Sequence, residues 1–333
     1  PIRPYSAINY ACLARKAKKR LRKRLSMSET KRKKLKGETK DAYLVRDMDP
    51  LHVFMTGIMG SRTDNEAVCK VEIPMDGIYR CLETLNASQP EFKYTFFHVI
   101  CAAIFRTVQD RKMLNYFIRG GKFYERKKIS LACIAKKRKA DGAEEGLVIM
   151  HYDRDSQDSP LLQIHNKLFK QVSLIRNTTT NKDNTSVVVS KLVNLPKPLY
   201  KFVLWMINRL DSKGKLPKEL RDASPYEATC FASNLGSIKM DAEYHHLINF
   251  GTNSFFLIVG EKTKKPVFHE DGSFELKEFL PLSLTIDERI ADGVYFANSI
   301  KVLKAFLMKP EYLLKPANEV IDTLMLREET GVN

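Results

Sequence analysis

Apolar and polar residues alternate along Ala67–Met75 (AVCKVEIPM), the period-two signature of a half-buried strand. Asp76 then reads as the N-cap of a helix running to about Asn86. Along Tyr94–Gln109 the spacing changes: Phe96, Phe97, Ile100, Cys101 and Ile104 share one helical face, so a buried helix is expected, with His98 as a packing residue. Strand patterns follow at Lys122–Arg126, Ile129–Ala135 and Leu147–Tyr152, the last two separated by a polar turn region, Lys136–Gly146. Ser159–Ile175 reads as an amphipathic helix and Asn177–Thr185 as a polar loop. After the Pro196–Pro198 breaker, Leu199–Leu210 (LYKFVLWMINRL) reads as a second hydrophobic helix. Trp205, Lys201 and Arg209 would suit an interfacial position, but burial against the same fold is the favoured expectation. The last third alternates strands (Ala228–Ala232, Ser254–Glu261, Val267–His269, Leu280–Ile286) with a closing helix from near Gly293 to Met308, where Phe296, Ile300, Leu303 and Leu307 keep the helical period and Pro310 lies beyond the end. Strands and helices intermingle without a regular βαβ repeat, which predicts a mixed sheet covered by helices.

Composition agrees: of 333 residues, 44% are hydrophobic and 29% charged, a globular balance. No run of eighteen apolar residues occurs, so no spanning helix is expected. Six scattered cysteines form no C-x-x-C pair and the N-terminus shows no apolar signal core, which together predict a reduced, cytoplasmic protein.

The net charge of +17 is unevenly placed. Residues 1–40 hold 15 Lys and Arg against Glu29 and Glu38, a balance of +13, and the other 293 residues carry only +4. The chain therefore divides into a basic arm, 1–40, flexible or helical, and a nearly neutral core, 41–333. The arm (RKAKKRLRKRL and KRKKLK) is too poor in apolar residues to pack. It reads either as a solubilising tail or as a tether to an anionic membrane or acidic protein, each basic residue near such a bilayer contributing about 1 kcal/mol. Nucleic acid ranks last, because the core offers no module for reading bases.

Neither G-x-G-x-x-G nor G-x-x-x-x-G-K-[ST] is present, and G-x-S-x-G and H-E-x-x-H are also missing, so nucleotide-binding, hydrolase and metalloprotease readings lack support. His245 and His246 are the only paired histidines. On a strand they would point to opposite faces, so no shared metal is expected. The informative stretch is Leu282–Lys301 (LSLTIDERIADGVYFANSIK): a strand, a charged corner, Asp292-Gly293, then an amphipathic helix. It resembles the D-H-R-x-x-D-G signature of the chloramphenicol acetyltransferase and dihydrolipoyl acyltransferase superfamily. Thr229–Gly236 (TCFASNLG) is similar to that family's F-x-x-S-N-L-G segment, Asn249–Gly260 to the strand after it, and Lys93–Asn115 to its early helix and turn. The resemblance covers about residues 45–310, and the pattern looks like that of stand-alone bacterial relatives of the acyltransferase core.

The resemblance implies an α/β (α+β) fold, a two-layer sandwich with a mixed β-sheet flanked by helices. It also implies homotrimers, sometimes built into cages, with coenzyme A and acceptor meeting between two subunits. In the family the histidine of D-H-R deprotonates the acceptor, polar groups near S-N-L-G stabilise the oxyanion, and the D-G aspartate holds the corner by pairing with an arginine. By position these roles fall on Glu288, on Ser233 and Asn234 with Ser237 beside them, and on Asp292, while Arg289 and Gly293 position the corner. Glu288 is the departure. A carboxylate is a poor base for a thiol or alcohol unless its pKa rises, and its charge opposes an oxyanion. Ordinary acetyl transfer is therefore expected to be lost or strongly reduced, unless Glu288 serves a different acceptor or His245 or His246 reaches the site. Only about 40 residues precede the core, too few for a lipoyl domain, so any lipoyl group is expected from another chain. The competing expectation is a non-catalytic oligomeric scaffold that presents its basic arms. No metal is expected.

Overall fold

The computed structural model describes residues 36–136, 145–177, 192–222 and 224–332. Residues 1–35 of the arm, 137–144 of the expected turn and 178–185 of the expected polar loop lie outside the described residues. By internal contacts the chain divides into residues 1–38 and 39–333. The second unit runs β1 (Ala42–Leu44), α1 (Pro50–Ile58), β2 (Glu66–Pro74), α2 (Asp76–Asn86), α3 (Phe96–Asp110), β3 (Tyr116–Arg119), β4 (Lys122–Arg126), β5 (Ile129–Lys136), β6 (Glu145–Tyr152), α4 (Pro160–Asn177), α5 (Lys197–Ser212), α6 (Lys218–Asp222), β7 (Cys230–Asn234), β8 (Phe255–Val259), β9 (Thr263–Phe268), β10 (Phe274–Asp287), α7 (Gly293–Met308) and α8 (Thr323–Glu329).

The main sheet has the order β2-β10-β8-β7-β5-β6, with β9 paired to the first half of β10; β1, β4 and β3 form a small second sheet. Two pairings in the main sheet, β5–β7 and β7–β8, are parallel and the others antiparallel, so the sheet is mixed as expected. Side-chain alternation separates its faces. Leu280, Leu282, Leu284 and Ile286 of β10 join Phe255, Leu257 and Val259 of β8 in the main core with α3, α4 and α7. Phe231, Phe256 and Ile258 point the other way, into a smaller cluster with Ala242 and Leu247.

The centre of this core is α3. Every residue from His98 to Val108 is buried, as befits a helix apolar on all sides. Thr95 and His98 close a reciprocal capping box at its start, so His98 both packs and caps. Arg106, buried on the same helix, donates to the carbonyls of Pro316, Ala317 and Glu319 at 2.7–3.0 Å and ties down the C-terminal region. Gly77 lets α2 close on the end of α7, because a Cβ there would lie 2.2 Å from the Met308 carbonyl oxygen.

Three expectations change. Asp76 is the first helical residue rather than the cap, a place taken by Met75 without a side-chain bond. The Pro196–Pro198 pair starts α5 rather than preceding it, with Pro196 as N-cap. The favoured burial of that helix is overturned: no α5 residue is buried, and Leu199, Phe202 and Trp205 are exposed. Its periodicity shows an apolar face, and the described residues do not cover it. Among the described residues no helix is long and apolar enough to cross a membrane.

Candidate functional site

The corner after β10 is built around one buried carboxylate. Asp287 accepts from the Nε and Nη2 of Arg289, both at 2.8 Å, a two-pronged pairing that fixes the planes of both groups. Arg62 lies 3.7 Å from the same carboxylate. Its Nη2 donates to the Gly251 carbonyl at 2.8 Å, and its backbone N–H to Asn249 Oδ1 at 2.8 Å. Arg289 Nη1 also donates to the carbonyls of Met59 and Gly60. Asp287, Arg289 and Arg62 are all at most 5% exposed, so the chain is locked here by charge-assisted bonds away from water. Burial pushes the Arg62 guanidinium below its ordinary value, and Asp287 opposes that shift.

Asp292 does not take the role the resemblance implied. It is exposed and caps α7, accepting from the Tyr295 N–H at 2.6 Å, and the arginine pairs with Asp287 instead. Sequence spacing could not separate two aspartates flanking one arginine. Glu288 opens the 3-10 turn Glu288–Ile290 and is half-buried. Its carboxylate has no hydrogen bond or ion pair among the described residues. Beside it the surface is open: Val294 is exposed, and a Cβ on Gly293 would meet nothing within 4 Å.

Ser233 and Asn234 end β7, both half-buried. Asn234 Oδ1 accepts from the Ser237 N–H at 3.2 Å, and Ser237 Oγ donates to the Asn234 carbonyl at 2.8 Å. Gly236 completes the turn against Gly260, whose carbonyl oxygen would lie 2.2 Å from an added Cβ. The sheet register then separates this turn from the corner. Ser233 stands beside Ile258, and Ile258 beside Ser283 of β10. Glu288 lies five residues beyond Ser283, about 16 Å along the strand direction and two strands across. One copy of the chain does not bring these groups together.

His245 and His246 lie in the irregular stretch after β7 rather than on a strand, and their rings are 4.9 Å apart. His245 stacks on Phe256 at 4.1 Å; Phe256 pairs across the sheet with Thr285, three residues before Glu288. The Nδ1 atoms face the backbone carbonyls of His246 and Leu247. Sequence reasoning missed His52. Its Nδ1 lies 2.9 Å from the carbonyl oxygen of Arg289, across 237 positions of chain. The D-P start of α1 was the available signal: Asp49 caps the helix and Pro50 opens it.

The cysteines offer no alternative nucleophile among the described residues. Burial pushes the Cys133 thiol up to about 12 and those of Cys69 and Cys81 to about 11. No group of three or more His, Cys, Asp or Glu able to hold a metal occurs among the described residues.

Residues 207–315 match the family of 2-oxoacid dehydrogenases acyltransferase (catalytic domain). Similar folds extend the likeness. A probable dihydrolipoamide acetyltransferase from Listeria monocytogenes shares 17% identity, covering 80% of this chain and 94% of its own, at a TM-score of 0.51. The cubic core of a pyruvate dehydrogenase multienzyme complex shares 16%, covering 81% and 94%, at 0.51. A dihydrolipoamide acetyltransferase of Azotobacter vinelandii, studied for the catalytic roles of a serine, a histidine and an asparagine, shares 15%, covering 87% and 97%, at 0.51. No curated protein matches the chain. The acyltransferase resemblance thus holds in sequence over residues 207–315 and in fold over most of the chain.

Proposed function

We propose that this acyltransferase fold moves acyl groups from coenzyme A thioesters at a site shared by two copies of the chain, with Glu288 standing where the family's base histidine stands. The observation that carries this reading is the register. Ser233 and Asn234 sit about 16 Å along the sheet from Glu288 within one copy, so a site using both ends draws them from different copies. A closed trimer satisfies that demand with one kind of contact. The histidine and asparagine named for the Azotobacter enzyme are four positions apart, the spacing of Glu288 and Asp292. We place coenzyme A, as a diffusible donor, at the open surface beside Gly293 and Val294, and no step requires a metal.

With Glu288 as the sole base, acetyl transfer would be slow, because a carboxylate takes a thiol proton poorly. Calorimetry of the full-length protein with coenzyme A tests the pocket, and sedimentation tests the trimer. Glu288→His is expected to raise acetyl transfer from acetyl-CoA to dihydrolipoamide by at least about tenfold. No binding at about 1 mM coenzyme A, or a monomer, overturns the reading.

The charge distribution favours a second reading. A trimer of chains that each carry +13 in residues 1–40 makes a multivalent scaffold for an anionic membrane or acidic partner. Removing residues 1–40 should then abolish binding to phosphatidylserine vesicles and leave assembly intact. Unchanged binding counts against it.

A further inference from the structure

We infer that His52 supplies the imidazole that the corner motif lacks, acting as the base that deprotonates the acceptor; this rests on the acyl-transfer reading above. The argument begins with the helix that carries it. On α1, His52, Met55 and Thr56, with Met59 at its C-cap, are half-buried at helical spacing, whereas Leu51, Phe54 and Ile58 are exposed. The inward face is pinned at both ends. Asp49 Oδ1 accepts from the Leu51 N–H at 2.8 Å at the start, and Arg289 Nη1 holds the Met59 and Gly60 carbonyls at the finish. The arginine that fixes Asp287 therefore also fixes the helix bearing His52.

The hydrogen bond then sets the chemistry. A carbonyl oxygen only accepts, so at 2.9 Å from the Arg289 oxygen the His52 Nδ1 carries the ring hydrogen. In the neutral ring that leaves Nε2 with its lone pair, the form a base needs. The carbonyl concerned belongs to the residue directly after Glu288, so the imidazole enters the same corner from a distant part of the chain. His52 has no other hydrogen bond among the described residues. His245 stacks instead on Phe256, and His98 is sealed in the core.

In the step, Nε2 takes the proton from the acceptor thiol. The thiolate attacks the thioester carbonyl carbon and forms the new carbon–sulfur bond. The bond to the coenzyme A sulfur breaks, and the imidazolium returns the proton to that leaving thiolate. Atoms and charge balance without a metal or redox partner.

Two variants of the full-length protein test this with acetyl-CoA and dihydrolipoamide. His52→Asn keeps an N–H for the Arg289 carbonyl and removes the base. Its kcat should fall by at least about 100-fold while KM for acetyl-CoA stays within about threefold. His52→Ala should fall similarly and regain rate with added imidazole, which a purely structural role would not do. A His52→Asn rate within about threefold of the parent overturns the proposal, as does failure of imidazole to rescue a folded His52→Ala that still binds coenzyme A. A parent protein that binds coenzyme A and transfers nothing overturns the proposal and leaves the pocket standing. A parent that binds no coenzyme A overturns both.

Discussion

Two buried ion clusters in this molecule are near mirror images in charge. At the end of β10, one carboxylate, Asp287, sits between two guanidiniums, those of Arg62 and Arg289. At the end of β3, one guanidinium, Arg119, faces three carboxylates: Asp41 at 3.2 Å, Glu227 at 3.2 Å and Asp211 at 3.5 Å. The first has surplus positive charge, spread over backbone carbonyls from two loops. The second has surplus negative charge and joins the segment before β1, the end of α5 and the turn before β7. Burial raises the Asp211 and Glu227 pKa values, with Arg119 pulling them back. At Asp41 burial also pushes upward, but Arg119, Thr39 and Arg221 prevail and the net shift is down. Arginine cannot shed its charge, and carboxylates can. The Arg119 cluster, with its surplus of carboxylates, can therefore relax by taking a proton.

The largest expected effect follows. Arg119→Met leaves three acids without their shared cation and should cost about 4 kcal/mol in urea unfolding at pH 8. The loss should be smaller at pH 5 than at pH 8, because burial raises the Asp211 and Glu227 pKa values and favours their neutral forms as pH falls. A loss that is the same at both pH values means that these acids do not titrate in the folded state. Asp287→Asn should come next, at about 3 kcal/mol, because two guanidiniums lose their anion but keep their carbonyl partners. A loss as large as that of Arg119→Met would erase the distinction between the two clusters.

Acid acts on a third site. Burial, with His165 nearby, lowers the pKa of His98 to about 4 from an ordinary 6.5. Its neutral form is favoured in the folded state, so that stability is intact above pH 6.5 and is lost as pH falls toward 4. About 2 kcal/mol should disappear between pH 7 and 5. His98→Gln, which can still accept from the Thr95 N–H, should flatten that slope. An unchanged slope would place the acid sensitivity elsewhere. Asp211 and Glu227 act in the opposite sense: their raised values make the folded state take up protons first, which adds stability as pH falls toward 3.8 and 4.5. The smallest effect is expected for Glu227→Gln, under about 1 kcal/mol, since Arg119 keeps two carboxylates and a neutral amide is easier to bury. A loss above about 2 kcal/mol would show that the third negative charge is needed.

What could be read from the sequence depended on the range of the interaction. Along α3 and the second half of β10, apolar residues recur at the period of the element that buries them, so both were legible. The first half of β10, from Phe274 to Glu278, was not: it pairs with β9 at an exposed edge, and its side chains face water. The short strands β1 and β3 and the helix α1 were missed. In α1 (PLHVFMTGI) apolar residues occupy both faces, so no period stands out. At the site, the corner segment was visible as a motif because its residues are neighbours in the chain. Arg62 and His52 were not, because each meets the corner across more than 220 positions. The aspartate assignment went astray for a related reason: Asp287 and Asp292 flank Arg289 two and three residues away, and burial decides between them.

The contact between Gly236 and Gly260 bears on how a mutational survey of this protein should be interpreted. A methyl group on Gly236 would lie 2.2 Å from the Gly260 carbonyl oxygen, and one on Gly260 2.2 Å from the backbone nitrogen of Ala242. Alanine at either position should be as damaging as many changes at Glu288 or Asn234, for reasons that involve no ligand. Sensitivity at the two glycines therefore reports steric fit, and chemistry must be sought in positions whose loss leaves the folded protein standing.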